Sequence, residues 1–355
     1  MRFFEVMSPE KKSLRALPRN QRANFQRRLL AWYGDHARTL PWRESRDPYR
    51  VWLSEIMLQQ TRVAAVIGHY EEFLRRFPTV EKLAAAREPS VLAAWSGLGY
   101  YRRARMLHAA AKVVIRELGG KFPATSEKWR ALPGIGRYTA AAIASIALGE
   151  PVAVVDGNVE RVLQRFSGRR LAGEELWQAA EDLLDRTQPG DFNQAMMELG
   201  ATVCSPRAPA CLVCPVVKLC ATRGELVAGV KAARQKKREI HYALDCRNLD
   251  RRNLDYRNGN GDGGGSGGEV FLVQRAKDAS LMARMWELPE MANEHGASKP
   301  SFTLRHSITV TDYTVLVWRA AAPECVGGKW IPATRLGRVA LTGLARKILR
   351  KAELL

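Results

Sequence analysis

The stretch LPGIGRYTAAAIASIALG, residues 132–149, decides the fold that we expect for the first two thirds of the chain. It joins a turn with two glycines directly to an alanine-rich segment of high helix propensity. Gly134 and Gly136 let a phosphate approach the backbone closely, and the free N–H groups at the start of the following helix attract negative charge. We predict a hairpin between two helices that binds a phosphodiester backbone without reading its sequence. Considered alone, PGIG is more typical of an ordinary helix-turn-helix corner.

Composition also favours a polyanionic partner. The 355 residues include 56 Lys and Arg against 36 Asp and Glu, which gives a formal net charge of +20. Such an excess is typical of proteins that neutralise phosphates, so nucleic acid is the expected partner. A hydrophobic content of 46% argues against wholesale disorder. We see no signal peptide and no apolar run of about 20 residues. We therefore expect a cytoplasmic, nucleoid-associated protein without membrane contact.

The chain divides into a helical part and a part of mixed character. Up to about residue 200, apolar side chains recur at intervals of three and four, as in packed helices. A basic stretch follows, which we interpret as a linker; a solvated helix face is the alternative. Strand-like runs come next, and the last 17 residues are typical of a helix. We predict a mainly α domain over 20–224, a linker over 225–238 and an α+β domain over 239–355, with a glycine-rich hairpin insertion at 245–268.

Four of the six cysteines lie close together, at Cys204, Cys211, Cys214 and Cys220. Six, two and five residues separate them, so their thiolates can surround one soft metal centre. Tetrahedral zinc and an iron–sulfur cluster are both compatible with this spacing. Zinc sites more often contain two CxxC pairs, and this sequence has one, so we favour the cluster. Its expected role is structural, because it lies in a basic loop.

Two acids stand in contrasting surroundings. Glu55 lies within SEIMLQQT, on a predicted helix with apolar neighbours, which would raise its pKa and suit a general acid. The alternative is an ion pair with Arg43 or Arg62. Asp156, in VVDGNVERV, precedes a probable helix and could equally be its N-cap. Two carboxyls in different environments suit cleavage of a glycosidic bond, in which one protonates the leaving group and the other meets the sugar cation.

Positions 20–224 resemble the endonuclease III superfamily of helix-hairpin-helix DNA glycosylases, and more closely the adenine DNA glycosylases of the MutY type. Seven motifs carry the resemblance in the family's order. They are LPWR (40–43), SEIMLQQT (54–61), GLGYYRRAR (97–105), LPGIGRYTA (132–140), VVDGNV (154–159), FNQAMMELG (192–200) and the cysteine cluster. The resemblance implies one four-iron four-sulfur cluster as cofactor.

The residue after the hairpin separates the branches of this superfamily. Bifunctional members have a Lys nucleophile there, and this sequence has Tyr138. A phenol cannot form the Schiff base that strand cleavage needs. The resemblance therefore implies a monofunctional enzyme, which removes a base and leaves the strand intact.

The resemblance also implies roles for individual residues. Glu55 would protonate adenine at N7 and later activate water, and Asp156 would stabilise the sugar cation or attack it. Tyr138 and Asn158 would line the same site. Flipping the base out of the duplex costs a few kcal/mol, which side chains that enter the stack partly offset. The expected adenine pocket consists of Trp42, Arg43 and Gln194, and the expected stacking side contains Gln60, Thr61 and Tyr100. Leu98 is a further expected substrate contact.

The segment 239–355 resembles the family's Nudix-like domain, which recognises 8-oxoguanine opposite the adenine. WELPE (286–290) and LRHS (304–307) carry this weaker match, and no run of Glu suited to hydrolytic metal binding is visible. Ser307, Ile308 and Thr309 are the expected contacts to the lesion. The family commonly has Phe-Ser-His where this chain has Ile-Thr-Val, so lesion preference is expected to be weaker or arranged differently.

These inferences predict a monomeric base-excision repair enzyme. Its expected substrate is double-stranded DNA with adenine opposite 8-oxoguanine or guanine. Two rival hypotheses remain: a glycosylase of the same fold for thymine or uracil opposite guanine, and an iron–sulfur protein that binds damage without cutting.

Overall fold

The structure is a computed structural model, and it divides the chain into two compact units. One unit contains residues 1–59 and 116–230, and the other contains residues 60–115 and 231–355. The segment 60–115, which the sequence groups with the first domain, thus packs with the C-terminal part. The described residues are 18–224, 236–248, 268–279, 281–292, 299–308, 311–323 and 327–355.

Twelve α-helices are found among these described residues. Five of them, α2, α4, α7, α9 and α12, start behind a Thr or Asp N-cap, and glycines in the left-handed conformation end α8 and α9. None of the described helices is long and apolar enough to cross a membrane. In chain order the helices are α1 (Arg19–His36), α2 (Pro48–Leu58), α3 (Val63–Arg76), α4 (Val80–Ala85), α5 (Glu88–Trp95), α6 (Arg102–Arg116), α7 (Ser126–Arg130), α8 (Arg137–Leu148), α9 (Gly157–Ser167), α10 (Gly173–Leu183), α11 (Pro189–Thr202) and α12 (Gly343–Lys351).

The first unit is helical and is built around a continuous apolar core. Helices α1, α9, α10 and α11 contribute to it. The ring of Phe25 packs edge-on against that of Phe166, with 4.7 Å between the ring centroids. Helix α2 packs against the 3₁₀ turn at Pro41–Arg43 and also against helix α8. This packing places α2, α8, α9 and α11, the helices of the predicted motifs, in one body.

The second unit combines helices α3 to α6 with two small sheets and α12. One sheet has the order β1–β6–β5, with β1 parallel to β6 and β5 antiparallel to it. In the other, β3 pairs with β2, β4 and β7, all antiparallel. The strands are β1 (Lys236–Ala243), β2 (Cys246–Arg247), β3 (Glu269–Gln274), β4 (Trp286–Glu287), β5 (Phe302–Ile308), β6 (Thr311–Trp318) and β7 (Lys329–Pro332).

The predicted fold class, a helix-hairpin-helix part followed by an α+β part, is confirmed, including strands after the basic stretch and a helix within the last 17 residues. One detail differs: Lys236, Lys237 and Arg238, expected in the linker, begin β1 because they pair with Thr311–Tyr313 of β6. Most of the glycine-rich insertion, residues 249–267, lies outside the described residues, and β2 and β3 pair on either side of it. Residues 225–235 of the expected linker also lie outside them.

Candidate active site and metal centre

Helix α2 carries Glu55 into the interior of the first unit. The helix begins at Pro48, and the Asp47 side chain accepts a hydrogen bond from the Arg50 backbone N–H. Nearly every later residue of α2 is buried, and Trp52 packs edge-on against Trp129 at 5.7 Å. Glu55 is itself only 6% exposed. The apolar surroundings expected from the sequence are therefore present around this carboxyl.

Tyr138 is the hydrogen-bond partner of Glu55. Its hydroxyl donates to Glu55 Oε2 at 2.6 Å. Burial raises the pKa of Glu55 from 4.5 to about 7; the Tyr138 bond and the charge of Arg43 lower it, and the charge of Asp156 raises it. Burial also raises the pKa of Tyr138 well above its usual value, so the phenol remains a donor. A carboxyl with this pKa exchanges its proton near neutrality, as a general acid requires.

Asp156 is the N-cap of α9, and the alternative considered from the sequence is therefore correct as a structural description. Its Oδ1 accepts from the backbone N–H groups of Asn158 and Val159, at 2.9 and 2.7 Å. Its Oδ2 accepts from Asn158 Nδ2 at 2.8 Å. The three N–H donors fix the position of the Asp156 carboxylate, and its negative charge raises the pKa of Glu55. The role of an N-cap is therefore compatible with that of a functional acid.

Asn158 is held from three sides. Besides its bond to Asp156, its Oδ1 accepts from Arg161 Nη2 at 2.8 Å. Arg161 also donates to the backbone carbonyls of Cys204 and Gly200, at 2.8 and 2.7 Å. Helix α11 approaches so closely that a Cβ added at Gly200 would lie 2.6 Å from the Cβ of Asn158. The Asp156–Asn158 pair is therefore fixed by contacts from α11 and from the start of the cysteine loop.

Arg43, one of the two arginines considered as ion-pair partners of Glu55, does not pair with it. It donates instead to Glu198 Oε2 at 2.8 Å, and Arg38 holds the same carboxylate with two further bonds at 2.6 and 2.8 Å. Glu198 is 1% exposed, and these bonds lower its pKa despite its burial. The guanidinium of Arg43 also lies over the Tyr33 ring. Sequence reasoning missed Glu198 and Arg38, although Glu198 is a charged residue between the apolar side chains of Met197 and Leu199.

Two further residues of the expected adenine pocket belong to the same unit. Trp42 is buried in the 3₁₀ turn beside Arg43, and Gln194 is half-buried on α11, one turn before Glu198. The structure thus brings Glu55, Tyr138, Asp156, Asn158 and the Arg43–Glu198 pair into one compact body.

The predicted hairpin joins α7 to α8. Gly134 has a φ of +75°, which glycine adopts without steric cost, and Gly136 is the N-cap of α8. Both glycines are exposed, and the turn is closed by a hydrogen bond from the Ile135 N–H to the Leu132 carbonyl. The exposed N–H groups at this end of α8 are available to a phosphate.

The expected stacking residues belong to the second unit. Gln60 and Tyr100 both have left-handed backbones, with φ values of 55° and 49°. Arg103, another residue that sequence reasoning missed, donates to Thr61 Oγ1 and to the carbonyls of Leu98 and Gly99, at 3.1, 3.3 and 3.2 Å. Arg103 therefore connects the turn that contains Thr61 to the loop that contains Leu98 and Gly99. Leu98 is buried, whereas the Tyr100 side chain is 48% exposed.

The expected lesion contacts lie at the end of β5. Ser307 is exposed, and its hydroxyl donates to Asp312 Oδ1 at 2.5 Å across the β5–β6 pair. Ile308 is the last residue of β5, and its backbone is opposite Thr311. Thr309 lies outside the described residues.

The four clustered cysteines line a common cavity together with Arg165 and Gly224. Arg165 donates to Cys204 Sγ at 3.3 Å, and a Cβ added at Gly224 would lie 3.1 Å from the sulfur of Cys211. Burial raises the pKa of Cys214 to about 11, so a bound cationic centre would be needed to keep its thiolate. Within the described chain, no three or more His, Cys, Asp or Glu side chains are grouped to hold a single ion. The four thiols are the donor type of a sulfur-ligated centre and line one cavity, but their side chains are not grouped around a single point in this structure.

Comparison with known proteins gives the family. The profile of the HhH-GPD superfamily base excision DNA repair proteins matches residues 53–184. The structure of a thermostable thymine-DNA glycosylase aligns with a TM-score of 0.55 and 32% sequence identity, over 57% of this chain and 97% of that one. The chain belongs to the HhH-GPD superfamily.

Curated relatives point within the HhH-GPD superfamily to one kind of enzyme. The chain is 49% identical over 214 residues to the adenine DNA glycosylase of Homo sapiens, covering 56% of this chain and 39% of that protein. It is 39% identical over 313 residues to the adenine DNA glycosylase of Mus musculus, covering 76% and 61%. The chain thus spans between about two fifths and three fifths of these relatives' length. The family match contains Glu55, Tyr138 and Asp156, whereas the cysteine loop lies beyond it.

Proposed function

We propose that the protein is a DNA glycosylase that hydrolyses the N-glycosidic bond of adenine mispaired with 8-oxoguanine or guanine. The observation that carries the proposal is the buried Glu55 carboxyl, whose pKa is about 7 and which Tyr138 holds at 2.6 Å. Near neutrality this group is present both as an acid and as a base. The similarity to adenine DNA glycosylases supports adenine as the leaving base.

In the proposed reaction, Glu55 donates its proton to the extruded adenine, which makes the base a better leaving group. The sugar develops positive charge as the bond breaks, and Asp156 supplies a fixed negative charge that stabilises it. Glu55, now ionised, then activates the water that completes hydrolysis. Tyr138 keeps Glu55 in place, and Asn158 keeps Asp156 in place. Trp42, Arg43 and Gln194 are proposed to line the adenine pocket.

Strand cleavage is not part of the proposed reaction. Tyr138 occupies the position of the Lys nucleophile in bifunctional members, and its hydroxyl is engaged by Glu55. We expect no borohydride-trapped adduct between the protein and substrate DNA. A trapped adduct in the unaltered chain would contradict the monofunctional assignment, and Tyr138→Lys is the variant in which such an adduct could appear.

We propose that Cys204, Cys211, Cys214 and Cys220 hold one four-iron four-sulfur cluster. The shared cavity and the Arg165 contact to Cys204 support a sulfur-ligated centre, and the resemblance favours iron over zinc. Metal analysis of purified protein distinguishes the two, because the cluster predicts four irons per chain and a mononuclear site predicts one zinc. Arg165 would stabilise the thiolate charge of Cys204.

The DNA partner and the lesion contacts are also proposals. The exposed Gly134 and Gly136 turn would bind the phosphate backbone, and Gln60, Thr61, Leu98 and Tyr100 would enter or flank the base stack. Ser307, Ile308 and Thr309 would face the opposite base. A monomeric protein acting on chromosomal DNA agrees with the net charge of +20.

A panel of mispairs under single-turnover conditions tests the proposal. Duplexes would carry adenine opposite 8-oxoguanine, adenine opposite guanine, thymine opposite guanine and uracil opposite guanine, and the released base would be identified. Release of free adenine is the expected result. Binding to these duplexes without release of any base would favour the rival hypothesis of a damage-binding protein.

A second candidate substrate has one specific observation in its favour. The aligned thymine-DNA glycosylase shares 32% identity over nearly its whole length. Release of thymine opposite guanine at a rate above that of adenine would favour this candidate. The half-buried Gln194 is the residue whose substitution by Ala should then affect adenine release more than thymine release, because an amide can form two hydrogen bonds to an adenine edge.

A further inference from the structure

The loop between α5 and α6, residues 96–101, has an unusual backbone. Gly97, Gly99 and Tyr100 have φ values of 111°, 72° and 49°. The two glycines adopt such angles readily, but Tyr100 does so at a cost of about 1 kcal/mol or more. A non-glycine residue stays in this conformation only where its surroundings hold it there. The side chain at this strained position is also the one proposed to enter the base stack.

Both ends of this loop are bound to one carbonyl in the C-terminal part of the same unit. Ser96 Oγ donates to the Leu341 carbonyl at 2.8 Å, and the Tyr101 hydroxyl donates to it at 2.9 Å. Arg346 Nε, on α12, donates to Ser96 Oγ at 2.9 Å. Ser96, Tyr101 and Leu341 are buried, so water cannot replace a lost hydrogen-bond partner. Removing one of these hydrogen bonds would therefore leave a buried polar group unsatisfied.

Leu341 is in turn fixed by the WELPE strand. The Trp286 N–H donates to the Ala340 carbonyl at 2.8 Å, and the Thr342 N–H donates to the Trp286 carbonyl at 2.9 Å. Thr342 then caps α12, the helix that carries Arg346. A short path therefore runs from β4, through hydrogen bonds to the two neighbours of Leu341 and through the Leu341 carbonyl, to Ser96 and Tyr101, and Arg346 supports Ser96 from α12.

A second contact joins the same parts of the unit. Arg105, on α6, donates to the Ala283 carbonyl at 2.5 Å, close to the start of β4. Residues 60–115 and 231–355 accordingly form one compact unit. The loop is thus supported by the β4–α12 region at its base, while the Tyr100 side chain remains exposed.

We propose that Leu341 and Arg346 are positioning residues for the Tyr100 loop, through which the C-terminal part of the chain controls extrusion of the target base. This inference rests on the proposed function. Arg346 and the Tyr101 hydroxyl do not touch the substrate in this scheme. They hold the strained backbone so that the Tyr100 ring fills the stack, and the C-terminal part thereby acts on base extrusion as well as on the opposite base.

Fluorescence of 2-aminopurine, placed at the adenine position opposite 8-oxoguanine, tests the inference because it rises when the base leaves the stack. The full chain with Glu55→Gln is the parent, so that extrusion is measured without chemistry. Tyr101→Phe removes one donor to Leu341, and Arg346→Met removes the donor to Ser96. Arg350→Met is the matched control, because Arg350 is exposed on the same helix and the net charge changes equally.

We expect Tyr101→Phe and Arg346→Met each to lower the extruded fraction at saturating protein about five-fold, in line with the loss of one buried hydrogen bond. Arg350→Met should match the parent. Equal extrusion in all four proteins would overturn the inference, and so would variants that melt earlier yet extrude the base normally.

Base release by the chain with Glu55 intact, measured in parallel, separates this inference from the proposed function. Adenine release together with unchanged extrusion in the variants refutes the positioning role alone. If the unaltered chain neither extrudes nor releases any base, the proposed function fails and the positioning role fails with it.

Discussion

The Glu55 site and the Tyr100 loop are held in opposite ways. Glu55 lies on a regular helix, is 6% exposed and is bonded through its own carboxyl. Tyr100 lies on a left-handed backbone, is 48% exposed, and its loop is bonded through the residues on either side. The chemistry of each role explains the difference. A general acid near neutrality needs a dry site, whereas a side chain that enters a base stack must be free to leave the protein surface.

The two kinds of support predict different responses to substitution. At Glu55 the functional group and the supporting group touch directly, so changing either alters the acid. At Tyr100 the support comes from neighbours, so the ring can be changed while the backbone stays in place. The two regions should therefore respond differently to conservative substitutions.

The largest effect is expected for Glu55→Gln. The amide cannot donate a proton of suitable acidity, so single-turnover base release should fall about 10³-fold while DNA affinity changes little. Glu44→Gln makes the same chemical change at an exposed site and should leave the rate unaltered. Rates and dissociation constants measured on one mispaired duplex decide the matter. Substantial release by Glu55→Gln would remove Glu55 from the proposed reaction.

Folding of this variant can be checked independently. The pKa of Glu55 is about 7 in the folded protein and 4.5 in the unfolded chain. Between about pH 4.5 and pH 7 the folded state therefore binds more protons than the unfolded state, and the free energy of unfolding falls as pH rises through this range. The neutral amide avoids that loss. Glu55→Gln should therefore unfold at the same or a higher denaturant concentration than the unaltered chain at about pH 8, so that lost activity does not reflect lost structure.

The second largest effect is expected for Tyr100→Ala. Stacking of an aromatic side chain on a base contributes about 1 to 3 kcal/mol, so base extrusion should fall about ten-fold or more. The backbone cost of Ala at this φ of 49° should be similar to that of Tyr, because both residues have a Cβ. Tyr100→Phe keeps the ring and should retain extrusion. If Ala and Phe behave alike in the 2-aminopurine assay, the ring does not enter the stack.

Much of the helical fold could be predicted because its signals are local. The hairpin, the apolar α2 segment and the Asp156 position are each contained in fewer than 20 consecutive residues. The apolar surroundings predicted for Glu55 are present, and Asp156 is the cap that the sequence allowed. Local patterns could not decide between a cap and an acid, because the two roles need the same carboxylate at the start of α9.

The supporting groups could not be predicted, because they are distant in sequence. Arg38 and Glu198 are separated by 160 positions, and Ser96 and Leu341 by 245. No periodicity or motif records such pairs. The alternative of an ion pair between Arg43 and Glu55 could not be excluded from the sequence for the same reason, because the actual partner of Arg43 is Glu198 of α11. Likewise, the composition around residue 230 gave no sign that residues 60–115 pack with the C-terminal part.

The pH dependence of base release tests whether Glu55 is the titrating acid. Base release that needs protonated Glu55 should fall as pH rises through about 7. The Tyr138 hydrogen bond favours the charged carboxylate, so Tyr138→Phe should raise the pKa of Glu55 and shift this fall to higher pH by about one unit. Tyr242→Phe, a buried tyrosine of the second unit, should leave the profile unchanged. A profile that Tyr138→Phe does not shift would argue against Glu55 as the titrating acid.

The smallest effect is expected at the hairpin, where Gly134 and Gly149 form a matched pair on the two sides of α8. Their φ values are 75° and 72°, so Ala at either position should destabilise the fold by a similar amount, about 1 to 2 kcal/mol. The proposed phosphate contact exists at Gly134 alone. Gly134→Ala should therefore weaken binding to mispaired DNA several-fold at low salt, whereas Gly149→Ala should bind as the unaltered chain does. Equal affinities of the two variants, measured by titration over a range of salt concentrations, would show that the hairpin does not hold the backbone.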